Sequence, residues 1–443
     1  EDKDVKLKHA YQLLAYNHAS ELYQNSKFTE AIPAFSEVKK YPIDNSLNAK
    51  SVYWKADSYY RLNQFDESIK QYRNYLNEGG NYLNEEHHTA HYNIAYCHLQ
   101  KNDTLSALQS FRTFLQQAGL NDDERKVDAL LRTGDGYFSM KQDDQAIQYY
   151  DQVVALKKGQ EDYALYQKAV ALGYQQKYDQ KISTLLNIVN NYTKSPLMVK
   201  SIYEVALTYQ NQSDNVNALK YYDQIVVDYP KKTKMVQGAL YNMGVIHLQE
   251  RRLTKAEKLF KRVLDEFTTS GEQCKSAIHS LIDVYKAQKR LEKISELPSQ
   301  YPCAQITEDD QEFIYFETAF GLYQDSSYQE AIPAIGSYLS KYPNGPHKID
   351  MIFFLAESYY KTDQKDKALI EYEKLINEKV NSFTEKALIR ASFARYANKE
   401  YQLALEHYSK LEEITSDPVQ TFNAEQGLMR CNLFLENWPY LET

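Results

Sequence analysis

The chain has 443 residues, 43% hydrophobic and 25% charged, with a formal net charge of −8 at pH 7 and no basic cluster. That balance suits a soluble protein and argues against nucleic acid as a partner. No segment approaches the roughly 18 consecutive apolar residues of a membrane-spanning helix. Only 14 glycines and 11 prolines interrupt it, as a helical chain requires.

The chain opens on Glu1 instead of methionine, which suggests a processed or excised chain with any signal segment out of view. The first unit, Leu13–Pro42, places apolar and aromatic residues at three- and four-residue steps, the spacing of one helix face. Ala31 anchors its second half, Ala19 lies twelve residues earlier and Phe35 four residues later. Equivalent anchors follow at Ser68, Ala107, Ala146, Lys181, Ala218, Ala256, Ile294, Ala331, Ala368 and Ala404, 35 to 39 residues apart. Twelve residues before them stand Ala56, Ala95, Gly134, Ala169, Ala206, Gly244, Ala319, Ala356 and Ser392, with Ile282 breaking the rule. Four residues after them come Tyr72, Phe111, Tyr150, Tyr222, Phe260, Tyr372 and Tyr408. The pattern is clearest in Ile202–Pro230, where the polar turn Asn211–Asn217 separates two amphipathic halves. Facing small residues allow two helices to approach closely while larger side chains close the seam.

The unit Glu272–Ala304 departs from this pattern, with Ile282, Ile294 and a proline, Pro298, where the aromatic belongs. Proline there removes a helical hydrogen bond and shortens the second helix. Beyond it, Leu322–Ile335 (LYQDSSYQEAIPAI) repeats Leu22–Phe35 (LYQNSKFTEAIPAF) 300 positions on, Pro333 matching Pro33. A block of eight units therefore reads as duplicated. Residues 1–271 form a first array of seven units, 272–305 a degenerate unit that bends or divides the chain, and 306–443 a second array. That second array has three units and then a first helix, Val419–Leu435, without a partner. The tail from Trp438 to Thr443 makes a poor cap, so the expectation is a fragment of a longer protein.

This period, with its small and aromatic slots, resembles the tetratricopeptide repeat (TPR). The resemblance covers about eleven units, nearly the whole chain, and implies an all-α, right-handed α-solenoid of helical hairpins. It departs from the family pattern in its longer period and in large residues seven after the anchor, such as Val38, Tyr75 and Phe114. The fold hosts many roles and names no function by itself. The Tyr-Pro pairs ending second helices (Tyr41-Pro42, Tyr229-Pro230, Tyr301-Pro302, Tyr342-Pro343) look like those of bacterial cell-envelope members of the family. That similarity implies a periplasmic or outer-membrane-associated assembly scaffold.

Catalytic chemistry finds little support. His87, His88, His91 and His98 have metal-like spacing, but His91 fills the slot of Val52, Leu130 and Ile202, and His98 that of Tyr59, Tyr137 and Tyr209. Repeat packing explains both, so no metal and no cofactor is expected, and no phosphate loop or nucleophile elbow appears. Cys274 starts the first helix of the degenerate unit and Cys303 follows its second, at one end of an antiparallel hairpin. Either they form a disulfide, which would indicate an oxidising compartment, or they are two unrelated thiols. The aromatic rows are the best functional candidate. One row holds Tyr16, Tyr53, Tyr92, Tyr166, Tyr203, Tyr241, Phe316 and Phe353, and another Tyr60, Phe138, Tyr323, Tyr360 and Tyr396, beside Tyr23. In the family these positions lie on first helices, which line the concave groove, although idealised repeats also use tyrosine there for packing. The expectation is a non-catalytic scaffold binding a protein or peptide in that groove. The rival is a glycan-binding module of polysaccharide export or uptake, with Lys50, Asp57, Asp128, Asp135 and Asp350 beside the aromatics.

Overall fold

In a computed structural model, residues 2–78, 85–117, 123–267 and 272–437 are described. The Trp438–Thr443 tail lies outside them. Among the described residues the regular structure is helical throughout.

Seven hairpins come first: α1 (Asp2–Gln24) with α2 (Phe28–Glu37), α3 (Asn45–Arg61) with α4 (Phe65–Asn77), α5 (Glu85–Gln100) with α6 (Thr104–Gln117), α7 (Asp123–Ser139) with α8 (Asp143–Leu156), α9 (Glu161–Tyr174) with α10 (Tyr178–Asn191), α11 (Met198–Asn211) with α12 (Asn215–Asp228), and α13 (Thr233–Gln249) with α14 (Leu253–Phe267). In the eighth, α15 (Glu272–Ala287) is answered only by a 3-10 turn, Leu291–Lys293, and the four-residue α16 (Leu297–Gln300). Three more follow: α17 (Glu308–Gln324) with α18 (Tyr328–Lys341), α19 (Lys348–Lys361) with α20 (Lys365–Asn377), and α21 (Thr384–Ala397) with α22 (Tyr401–Ile414). The helix α23 (Pro418–Phe434) stands after them. The described chain is therefore an all-α solenoid of eleven hairpins and a further first helix.

Each hairpin is locked by the slots seen in the sequence. The anchors Ala31, Ser68, Ala107, Ala146, Ala218, Ala256, Ala331, Ala368 and Ala404 are buried, as is every aromatic four residues after an anchor. Burying such a ring contributes about 1.5–3 kcal/mol. The small residue twelve before the anchor lies against that same ring. A Cβ added to Gly134 would come 2.6 Å from Tyr150 Cε1, and one added to Gly244 equally close to Phe260. The large residues seven after the anchor, Val38, Tyr75 and Phe114 among them, are buried too. Lys181 is the exception among the anchors: its ammonium pairs with Glu204 at 3.1 Å.

The turn inside each hairpin is closed by one residue of left-handed conformation. Ser26, Asn63, Asn102, Lys141, Gln176, Ser213, Arg251, Lys289, Ser326, Asp363 and Lys399 have φ between 57° and 63°. The next backbone N–H bonds back five residues, as from Gln64 to Tyr59 O and from Lys177 to Leu172 O, which is a Schellman closure.

By their contacts the residues form two compact units, Glu1–Met243 and Gly244–Thr443, dividing within α13. The degenerate hairpin lies inside the second unit. Its shortened second half carries Pro298 in the four-residue α16, and Cys274 and Cys303 are joined by a disulfide with Cα atoms 6.3 Å apart. First helices touch at α1 with α3, α3 with α5 and α7 with α9 in the first unit and at α17 with α19 in the second, whereas no two second helices come as close among the described residues. Each stack thus bends toward its first helices, which line its inner face.

Candidate partner-binding surface

None of the thirteen aromatic residues singled out in the sequence is exposed, and Tyr53, Tyr166 and Phe353 are buried. Their surroundings differ between the two units. In the first unit the tyrosines are tied into polar bridges between hairpins. Tyr53 shares a hydrogen bond of 2.9 Å with Thr89, and Asn93 donates from Nδ2 to both Tyr53 and Tyr72, each at 2.9 Å. Asn242 repeats this fork to Tyr203 and Tyr222 at 3.0 Å. Tyr92 and Tyr96 donate to Asp128 at 2.8 and 2.5 Å, and Tyr23 and Tyr72 donate to Asp57. Burial and the Asp128 carboxylate push the Tyr92 phenol well above its ordinary pKa, so it remains a donor.

The remaining members of the first unit pack on neighbouring rings or cations. Tyr16 lies 6.3 Å from Phe35, Tyr60 5.7 Å from Phe65, and Phe138 5.5 Å from Tyr174. Lys200 sits over Tyr166 at 4.6 Å, and Tyr241 is half-buried. Asp135 accepts from Tyr150 at 2.9 Å and from Tyr163, beside Arg132 at 3.4 Å. Burial nevertheless holds its carboxyl above the ordinary value. Asp57, Asp128 and Asp135, the carboxylates that would flank a sugar, therefore spend their lone pairs on the protein's own tyrosines and arginines.

The second unit presents something different: phenylalanines, which have no hydroxyl to satisfy. Phe316 stacks on Phe320 at 5.5 Å, Phe320 meets Phe354 at 5.0 Å, and Phe354 meets Tyr323 at 4.6 Å. Phe353 stacks on Phe383 at 4.3 Å, and Phe383 lies 6.2 Å from Phe354. The run crosses α17, α19 and the start of α21 on the inner face. Phe313 at its edge is 52% exposed, and His347 stacks on Phe316 at 3.8 Å. Cations flank its far end, with Lys386 5.0 Å from the Phe353 ring and Arg390 4.1 Å from that of Tyr360. Buried Glu357, which also accepts from Tyr372 at 2.5 Å, faces both of them. Tyr396 lies further along, 5.5 Å from Tyr401.

Sequence reasoning missed Phe313, Phe320, Phe354 and Phe383 because they fall outside the two rows it followed. It also missed Asn93 and Asn242, although each stands fourteen residues before its anchor. The His87 ring lies 6.1 Å from that of His88 and 6.4 Å from that of His91, and among the described residues no group of three His, Cys, Asp or Glu side chains could hold a metal. Among the described residues no helix is long and apolar enough to cross a membrane.

Comparison with known proteins agrees with this architecture. A tetratricopeptide repeat family model matches residues 16–82, 53–122 and 203–270, and a second model of the same repeat matches 128–156 and 163–195. A TPR repeat-containing protein of Methanocaldococcus jannaschii is 32% identical over 110 residues, which is 25% of this chain and 30% of that protein. The chain thus spans less than a third of that relative's length. Among solved structures, the C-terminal part of a TPR repeat-containing protein from Cytophaga hutchinsonii is similar at 17% identity. It aligns over 59% of this chain and 98% of its own, with a TM-score of 0.47. YrrB, a TPR protein with an unusual peptide-binding site, aligns over 48% of this chain and 96% of its own at 18% identity, with a TM-score of 0.35.

Proposed function

Because the chain belongs to the tetratricopeptide repeat family, we propose that it is a non-catalytic protein–protein interaction scaffold whose partner lies on the inner face of the second unit. The observation that carries this reading is the aromatic run from Phe316 through Phe320 and Phe354 to Phe383. Half-buried phenylalanines in ring-to-ring contact give a partner apolar area at small entropic cost, as interface anchors do. Phe316, Tyr323, Tyr360 and Tyr396 line this groove, with Phe353 beneath it. Tyr16, Tyr60, Tyr92, Phe138, Tyr203 and Tyr241 hold the equivalent first-helix positions of the first unit, where their roles are chiefly structural.

The compartment we propose is the bacterial cell envelope, periplasmic or associated with the outer membrane. The Cys274–Cys303 disulfide supports it, because such bonds persist in oxidising surroundings. Mass spectrometry of non-reduced protein secreted to a periplasm should find those two residues linked, with Cys97 and Cys431 free. Four free thiols would remove the envelope reading.

Partner class is tested by capturing proteins from envelope lysate on the native chain and on a Phe316→Ser, Phe320→Ser variant, alongside a soluble-glycan binding screen. The scaffold reading expects a protein retained by the native chain and lost from the variant at unchanged helicity. Saturable glycan binding with no retained protein would replace it by the polysaccharide reading.

A further inference from the structure

The truncated hairpin leaves a position in the stack unfilled. The first helices α3, α5, α7, α9, α11, α15, α19, α21 and α23 each pack against the second helix before them, whereas α17 makes no comparable contact with the short α16. Where α4, α6 and α14 supply 13, 14 and 15 residues, the eighth hairpin supplies the turn Leu291–Lys293 and the four residues of α16. Leu291, Ile294 and Leu297 are buried. The disulfide ties the end of this segment back to the start of α15. The segment is held at both ends, and only Leu291 and Glu292 of it face α17, beside Tyr315 and Thr318.

What remains is a cleft of about 630 Å³ on the side away from the inner aromatic run. Its floor is Leu291, Tyr315, Leu322, Pro333, Ala334 and Gly336. Of the charges around it, Lys289 is already paired with Glu330 at 2.6 Å. Lys341 lies over the rings of Tyr315 and Tyr342, at 4.6 and 5.5 Å, with no carboxylate at ion-pair distance among the described residues. Beside it the Tyr342 hydroxyl is buried without a hydrogen-bond partner among them. An apolar floor, one uncompensated cation and an uncovered helix face define the complement.

We propose that this cleft receives an amphipathic α-helix of a partner protein, taking the place of the missing second helix and setting an acidic side chain against Lys341. A helix is the occupant because the chain itself puts a helix on the corresponding face of the nine first helices named above. An acidic residue is placed opposite Lys341 because the other charges lining the cleft are already paired, Lys289 with Glu330 and Glu292 with Arg290 at 4.0 Å. This site is separate from the inner face and stands or falls independently of it.

The probe is a fluorescein-labelled helical peptide with the sequence of α22 (Tyr401–Ile414), an amphipathic helix with three glutamates to one lysine that packs on α23 in the chain. Titrated with the full oxidised chain, it should bind saturably. Gly336→Trp and Lys341→Glu should each weaken binding at least about tenfold with melting unchanged. Gly336 has open space where its Cβ would be, so the tryptophan fills the cleft without disturbing the helix. Phe320→Ser should leave peptide binding untouched, which separates this site from the groove. Absence of saturable binding, or equal binding by both cleft variants, overturns the proposal. So does concentration-dependent self-association that Gly336→Trp abolishes, because the occupant would then be a second copy of this chain.

Discussion

Asn242 stands in its hairpin where Asn93 stands in its own, and each donates from Nδ2 to two phenols of the hairpin before it. Tyr72 and Tyr222, one target of each fork, are fully buried rings. Each hydroxyl still donates, Tyr72 to Asp57 and Tyr222 to Gln210, so removing the asparagine takes away the one bond each accepts from it where water has little access. Asn242→Ala is expected to cost about 1–3 kcal/mol, read by urea unfolding. A change below a few tenths would show that the fork contributes little.

The glycine seam gives a steric prediction. Tyr150 occupies the space where a Gly134 Cβ would project, and Ala56 against Tyr72 shows that a single methyl is accommodated elsewhere. Valine's branched methyls have no such room. Gly134→Val should therefore destabilise the first unit by about 1–3 kcal/mol through overpacking, visible as a lower urea midpoint.

The turns offer the opposite sign. Gln176 holds φ at 59° with a side chain that crowds its own carbonyl. That conformation costs an L-residue roughly 1–2 kcal/mol, partly offset in glycine by its greater freedom when unfolded. Gln176→Gly is expected to stabilise by up to about 1 kcal/mol, measured as a raised Tm.

Acid sensitivity should trace to buried histidine. Burial first, and the Arg252 and Lys255 charges next, hold His247 below its ordinary value of 6.5. The unfolded chain then takes up a proton that the folded chain refuses. This stability is present above pH 6.5 and lost as pH falls through the folded value. His247→Tyr places there the residue that Tyr59, Tyr137 and Tyr209 already supply in other repeats. The variant should lose less Tm than the native chain between pH 7.5 and 5, with the remaining drop shared by His87, His91, His98 and His407, which burial also depresses.

The repeat and its core were legible because the anchor, the small residue and the aromatic recur at fixed spacing and are mutually dependent. Gly134 is small because Tyr150 is large. The shortened eighth hairpin was legible from Pro298, a residue with one backbone consequence. The hairpin turns were not, since their left-handed residues are Ser, Asn, Lys, Gln, Arg and Asp without a single glycine. The inner face was only half legible. Tyrosine at a groove position serves packing or recognition equally well, and only the placement of Asn93, Asp128 and Asn242 assigns the first-unit hydroxyls to packing. The phenylalanine run depends on contacts between helices some 30 residues apart, which no single-repeat row contains.

The most direct test of the scaffold account is photo-crosslinking in the envelope, with p-benzoylphenylalanine placed at Phe316, Tyr323 or Phe354. Val216 on α12 and Leu403 on α22, both exposed second-helix positions, serve as controls. The account predicts an adduct of one mass from the three inner-face positions and none from the controls. Adducts from the controls alone, or none from the inner face, would contradict it.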